Sequence, residues 1–256
     1  MNEHAEHSSD PATLQVTLRA VFSHWAMRVL RQWMRAPCLV CGQYAQGEEL
    51  CLSCTTRLTH TPWGVSSLDC GPIRIPVLWR ESYGGPLTDT IYRSKYHGEW
   101  GAARLLGRCL GGLPRPWCGP RPVVIPVPLT GKRLGDRGYN QSLVIARQAA
   151  RLWRVPVHAL WLTKVRTTAR QASLPQAQRQ DNLSGSFSGS KKLHNQRVIL
   201  IDDIMTSGET LREAARAVQA CGGQVIAAAV IARVPKPRRM ITSRVCEPRH
   251  VQRRSG

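Results

Sequence analysis

The sequence predicts an α/β protein: a parallel sheet with helices on both faces, preceded by a small cysteine-rich module. Three observations carry that expectation. Short apolar runs at 73–83, 122–129, 157–165, 198–203 and 224–232 alternate with stretches of helical length. Strands that alternate with helices in this way join into a parallel sheet through right-handed crossovers. Two of the runs, PVVIPVPL at 122–129 and VILI at 198–201, are apolar at every position rather than at every second one. That pattern belongs to strands buried on both faces. Finally, two Cys-x-x-Cys pairs, Cys38/Cys41 and Cys51/Cys54, sit together ahead of the alternation.

The 256 residues, 42% hydrophobic, suffice for one α/β domain with an appendage. No run of 18 apolar residues occurs, which excludes a membrane-spanning helix. The first ten residues, MNEHAEHSSD, are polar and acidic, unlike an export signal. A cytoplasmic, reducing compartment is therefore expected, with paired cysteines acting as metal ligands rather than disulfides. Cys70, Cys109, Cys118, Cys221 and Cys246 are scattered. The formal net charge of +20 favours anionic partners: nucleic acid, an acidic membrane face or phosphorylated small molecules. A genome biased toward Arg codons accounts for part of that charge.

Residues 1–36 read as an extension. Within it, 13–35 has helical periodicity, with Leu14, Leu18, Val21, Trp25, Val29 and Trp33 on one stripe and Arg19, Arg28, Arg31 and Arg35 elsewhere. Such a helix suits packing on its own domain, or peripheral contact with the inner face of a membrane. The four-cysteine module spans 37–62 and the main domain 73–233. In that domain a strand at 73–83 leads through Gly84-Gly85-Pro86 to helices ending near Tyr96 and at 100–111. A Pro- and Gly-rich loop at 113–122 follows. After the strand at 122–129 come a basic loop at 130–141, a helix to about Leu152 and a strand at 157–165. A polar stretch at 166–195 precedes the strand at 198–203 and a helix from Glu209 to about Cys221. Gly222-Gly223 ends that helix before the strand at 224–232. The tail 234–256 is basic, has little to bury and reads as disordered.

The stretch 198–210, VILIDDIMTSGET, carries the chemistry. A buried strand ends in Asp202 and Asp203, and a loop rich in small hydroxyl residues opens a helix. Open α/β sheets bind ligands at the carboxyl ends of strands. Backbone N–H groups of 206–210 and the helix N-terminus suit a phosphate. Thr206, Ser207 and Thr210 add hydroxyl donors, Gly208 permits close approach, and Glu209 begins the helix. The two acids suit vicinal ribose hydroxyls, directly or through Mg²⁺, which prefers carboxylate and phosphate oxygen. A phosphate nest beside a diacid reads as a ribose-5-phosphate clamp. In the basic loop, Lys132, Arg133 and Arg137 suit a pyrophosphate, since Arg makes bidentate phosphate contacts. Asn140 or Gln141 suits capping the next helix or holding the loop. Cys38, Cys41, Cys51 and Cys54 suit one closed, structural Zn²⁺ site.

The 198–210 stretch closely resembles the phosphoribosyl pyrophosphate (PRPP) motif of type I phosphoribosyltransferases. Together with IPVP at 125–128, RGYNQ at 137–141, Tyr92, Lys95, Tyr96 and Gly98, and downstream Arg166, Thr168, Gln171, Leu174, Arg179, Asn182 and Phe187, the chain resembles the ComF family. The resemblance covers about 38–232. It implies a type I phosphoribosyltransferase-like fold with an N-terminal zinc module, PRPP bound with Mg²⁺ by Asp202, Asp203, Thr206, Ser207, Gly208, Glu209 and Thr210, and a link to competence and DNA use. By position it also implies a mobile lid at 166–190, with Arg170 and Arg179 as candidates for stabilising departing pyrophosphate beside Arg133 and Arg137. Three functions follow as expectations. The first is a PRPP-binding accessory of DNA uptake that contacts single-stranded DNA and uptake proteins. The second is a metabolic phosphoribosyltransferase acting on an unidentified base. The third is a PRPP-sensing DNA-binding regulator.

Overall fold

The computed structural model describes residues 37–45, 48–165 and 185–235, together with Val29. The helix expected at 13–35, Arg170, Arg179 and most of the expected lid, and the basic tail from 236 onward lie outside the described residues.

Seven strands and six helices are described. The strands are β1 (Gly64–Asp69), β2 (Arg74–Ser82), β3 (Val123–Pro126), β4 (Leu162–Lys164), β5 (Phe187–Gly189), β6 (Arg197–Met205) and β7 (Gln224–Arg233). The helices are α1 (Leu52–His60), α2 (Thr88–Tyr96), α3 (Trp100–Gly111), α4 (Gly131–Arg137), α5 (Gln141–Trp153) and α6 (Glu209–Ala220). The main sheet has the order β1-β2-β7-β6-β3. Its β2, β7, β6 and β3 run parallel. Their carboxyl ends therefore gather along one edge of the domain.

Alternation along the central strands sorts two cores. In β6, Val198 and Leu200 face one way, packing with Ala228 and Val230 of β7 and with Leu211, Ala214, Ala215 and Val218 of α6. Ile199 and Ile201 face the other way, joining Ala227 and Ala229 with Leu106 and Leu110 of α3 and Ile145 and Ala149 of α5. An all-apolar sequence is what two buried faces require. On the second face α3 and α5 pack through small residues. A Cβ on Gly107 would stand 2.6 Å from the Ile145 carbonyl oxygen, and one on Gly111 2.8 Å from the Ala149 Cα. The helices could not keep this spacing with larger residues there.

In the main domain, three elements differ from the sequence reading. β1, GVSSLD, pairs antiparallel with β2 at the sheet edge. It has only one fully buried residue in its span, so it carries no apolar run to announce it. The strand expected at 157–165 is two pieces. Val157 bridges Val124 on the main sheet. The chain then turns, with His158 and Trp161 stacked 3.7 Å apart, and β4 pairs antiparallel with β5 in a separate ribbon. The basic loop at 130–141 contains the short helix α4, started by Thr130, whose side chain accepts from the Arg133 N–H. Glycines at 131, 135 and 138 mask that helix in the sequence.

The cysteine module is part of the domain. Cys38, Val40, Ala45, Cys54 and Leu58 are continuous with the α3/α5 core. The helix α1 within it was not anticipated. Arg80 of β2 donates to the Leu58 carbonyl and, at 3.2 Å, to the Thr61 carbonyl, closing the carboxyl end of α1. Thr90 Oγ1 donates to the Leu39 carbonyl at 3.3 Å, and Arg93 donates to the same oxygen.

Glu81, near the end of β2, is fully buried. Its Oε1 accepts from the Leu87 N–H at 3.0 Å, while Oε2 has no partner among the described residues. Burial pushes its carboxyl up to about 7. The folded state thus holds a proton that the unfolded chain has released, and this contribution to stability falls as pH rises from about 4.5 to above 7. Thermal unfolding of wild type and Glu81→Gln between pH 5.5 and 8.5 should show a smaller drop in midpoint for the variant. Parallel curves would mean that Glu81 is ionised throughout.

Candidate functional site

The carboxyl end of β6 carries Asp202 and Asp203 into the body of the protein. Adjacent residues on a strand point to opposite faces, so the two carboxylates meet different neighbours. Asp202 Oδ1 accepts from Ser142 Oγ at 2.9 Å and from the Asp203 N–H at 2.9 Å. Asp203 Oδ2 lies 3.0 Å from Lys95 Nζ, and both side chains are largely withdrawn from solvent. Burial, reinforced by the neighbouring Asp203 charge, pushes the Asp202 carboxyl up to about 7. Ser142 starts α5 and Lys95 ends α2, so the diacid joins three elements. Ser142 gave no signal in sequence.

After Met205 the chain turns through 206–208 into α6. Gly208 caps the helix with φ 82° in the left-handed region. A Cβ there would also meet Leu68 of β1 at 2.5 Å. Conformation and space both require glycine. Thr206 and Ser207 are exposed, and Thr210 is half-buried in the first turn of α6. The Ser207 hydroxyl accepts from the Glu209 N–H at 3.4 Å. The Glu209 carboxylate pairs with Arg212, whose Nε donates to the Asp69 carbonyl at 2.8 Å. Glu209 thereby ties the loop to β1. The first N–H groups of a helix lack intrahelical partners and, with the helix dipole, favour an anion.

The basic loop arrives at the same edge from the end of β3. Asn140 Nδ2 donates to the Val127 carbonyl at 3.2 Å and holds the loop; it does not cap α5. Arg137 Nη1 donates to Gln141 Oε1 at 3.2 Å, with its guanidinium 5.5 Å from the Tyr96 ring centre. Arg133 is exposed on α4. Its charge, added to burial, lowers the pKa of Lys164, while Asp202 opposes that shift. Lys164 Nζ lies 5.0 Å from the Phe187 ring centre. The short β4 segment that presents it has no chemical signature of its own.

The four cysteines meet as expected. The Sγ atoms of Cys38, Cys41, Cys51 and Cys54 lie within 4.8 Å of one another. Val40 N–H points at Cys38 Sγ at 3.4 Å and Cys54 N–H at Cys51 Sγ at 3.5 Å. Amide-to-sulfur bonds favour thiolates, and four sulfur donors in one cluster fit a closed tetrahedral metal site such as that of Zn²⁺.

A parallel sheet with a buried diacid and a hydroxyl-rich loop at its carboxyl edge defines a phosphoribosyltransferase-type domain. The phosphoribosyl transferase domain family matches residues 140–249. The DNA utilization protein YhgH of Escherichia coli O6:H1 is 29% identical over 200 residues, 70% of this chain and 82% of that protein. Competence protein F of Haemophilus influenzae is 30% identical over 152 residues, 56% of this chain and 66% of that protein. Among solved structures, the glutamine PRPP amidotransferase of B. subtilis aligns with a TM-score of 0.37 at 19% identity, over 56% of this chain and 30% of that one. These matches support a ComF-type, phosphoribosyltransferase-like protein.

Two outcomes test this architecture. Gly208→Val places a branched side chain at positive φ against Leu68, so it should cost about 1–3 kcal/mol in denaturant unfolding. A cost near zero would mean that the loop adopts another path. Stripping metal with a strong chelator should lower the unfolding midpoint, because the cysteine module is continuous with the core. Cys41→Ser should reproduce the loss, and an unchanged midpoint in both would remove a structural metal.

Proposed function

We propose that this protein binds PRPP with Mg²⁺ at the carboxyl end of β6, and that it serves DNA uptake or utilization in contact with single-stranded DNA. The buried diacid carries the reading. Two adjacent carboxylates, the half-buried Asp202 held by Ser142 and the buried Asp203 paired with Lys95, are costly unless they have a ligand to serve. A ribose diol donates two hydroxyls to such a pair. The loop 206–210 then lies where the 5′-phosphate of the same sugar would sit, with Thr206, Ser207 and Thr210 as hydroxyl donors. Gly208 allows the approach, and Glu209 holds the loop to β1 through Arg212. Oxygen donors of this kind suit Mg²⁺, which would neutralise charge on the diphosphate. Arg133, Arg137 and Lys164 supply cations on the diphosphate side, and Arg170 is proposed to join them. The names of the relatives support the DNA role, and the net charge of +20 supports an anionic polymer partner. Zn²⁺ is proposed as the metal of the cysteine cluster, in a structural role. No helix among the described residues is long and apolar enough to cross a membrane; contact with the inner membrane face is proposed through the amphipathic stretch at 13–35, which the sequence predicts to be helical.

Transfer is a second reading of the same site. In it the C1–oxygen bond of PRPP breaks, and its electron pair leaves with pyrophosphate toward Arg133 and Lys164. A nucleophilic base nitrogen bonds to C1 and loses its proton to the departing pyrophosphate. The cations favour this reading, as they suit charge that grows on the leaving group.

Isothermal titration with PRPP and Mg²⁺ tests the clamp. Wild type should bind, and Asp202→Asn/Asp203→Asn should lose at least tenfold in affinity. Because the Asp202 carboxyl is raised to about 7, its ionised, accepting form fills as pH rises through neutrality. Affinity should therefore strengthen between pH 6 and 8, and the slope should flatten in Asp202→Asn. Equal affinity of wild type and the double variant would overturn the reading.

A further inference from the structure

We infer that the outer face of α2 is a stacking platform for the bases of a single-stranded nucleic acid, adjoining the ribose-phosphate site. The inference rests on the reading that this protein contacts single-stranded DNA, and it goes further by giving that contact a location away from the cysteine module. Tyr92 and Tyr96 are both more than half exposed, at 56% and 62%. Their ring centres lie 4.7 Å apart, and His97 continues the series 5.7 Å from Tyr92. Three neighbouring aromatic rings left in water, two on α2 and the third at its C-cap, are unusual, because each would gain by burial against a partner.

The surroundings select the occupant. Arg137 lies 5.5 Å from the centre of the Tyr96 ring, a cation held over an aromatic face. Lys132 and Arg133 are exposed on the same short helix α4, while Arg137 is half-buried there. Beyond the turn at Gly98, Trp100 is 53% exposed and stacks on Tyr139 with centres 4.7 Å apart. Arg104 is exposed one helical turn further along α3. Of the nearby acids, Glu99 faces Arg93 at 3.5 Å, which leaves Asp136 and Asp89, the latter exposed in the first turn of α2, against these cations. Rings interleaved with cations match a strand whose bases stack and whose phosphates need countercharge. An apolar protein surface would gain nothing from the cations. Duplex DNA hides its base faces within the stack and cannot use the rings.

The platform is anchored to the site by covalent neighbours. Lys95, which pairs with Asp203, sits between Ser94 and Tyr96. The Ser94 carbonyl accepts from the Tyr139 hydroxyl and from Gln141 Nε2. The helix that bears the rings is thus held to the start of α5 and to the diacid, and does not depend on the strand for its position.

Fluorescence anisotropy with a labelled single-stranded oligothymidine tests this. Tyr92→Leu/Tyr96→Leu should weaken binding on the order of tenfold or more, since each stacked base is worth about 1–3 kcal/mol. Tyr92→Phe/Tyr96→Phe keeps the ring faces and should bind like wild type. The salt dependence should keep its slope in both variants, as the rings contact no phosphate. Thermal unfolding separates loss of stacking from loss of fold. If wild type binds the oligonucleotide and the Leu variant binds equally well, the platform is wrong while the DNA reading stands. If wild type does not bind at all, both fall. Equal weakening toward single-stranded and duplex DNA would also overturn it, because the rings discriminate only through exposed bases.

Discussion

Two adjacent carboxylates at the end of β6, Asp203 buried and Asp202 half-buried, are the constraint around which the domain is arranged. Charge removed from water must be met by hydrogen bonds or opposite charge, or it reverts to the neutral acid. Asp202 shows both responses: it accepts from Ser142 and from the Asp203 amide, and its carboxyl is still raised to about 7. Asp203 instead takes Lys95 as a counter-ion. Those partners come from the start of α5 and the end of α2. The packing of α3 on α5 through Gly107 and Gly111 therefore bears on the site, since it sets where α5 begins relative to the sheet. The cation loop, Gly208 and β1 then close around the same edge.

The cysteine module belongs to this frame rather than hanging from it. Its hydrophobic residues are continuous with the core under α3 and α5, and the Leu39 carbonyl is held by Thr90 and Arg93 of α2. The packing makes the four-cysteine cluster a staple for the core. The exposed rings of α2, on the helix that carries Lys95, are where we place a nucleic acid.

Much of this was legible in sequence because the physics is local. The all-apolar strands β3 and β6 can be buried only on both faces. The string from Val198 to Thr210 ties strand, acids, loop and helix into consecutive residues, and the cysteine spacing speaks for itself. What escaped reading was non-local or lacked a pattern. β1 is a polar edge strand whose place follows from pairing with β2. α4 hides among glycines, and α1 lies inside a segment read only for its cysteines. Ser142 reaches the site through a tertiary contact, and nothing in its neighbours marks it. Glu209 was expected at the ligand because it stands in the motif, whereas its carboxylate turns to Arg212, a pairing set by the i, i+3 spacing on α6.

The central claim is that one sugar phosphate spans the diacid and the loop. Phosphorus NMR of PRPP with Mg²⁺ observes each phosphate separately and tests it most directly. The account predicts that added protein broadens and shifts the 5′-phosphate resonance, as well as those of the diphosphate, and that Gly208→Val removes the 5′-phosphate effect first. A perturbation confined to the diphosphate would mean that the basic loop binds anions without a ribose-phosphate clamp, and would contradict the account.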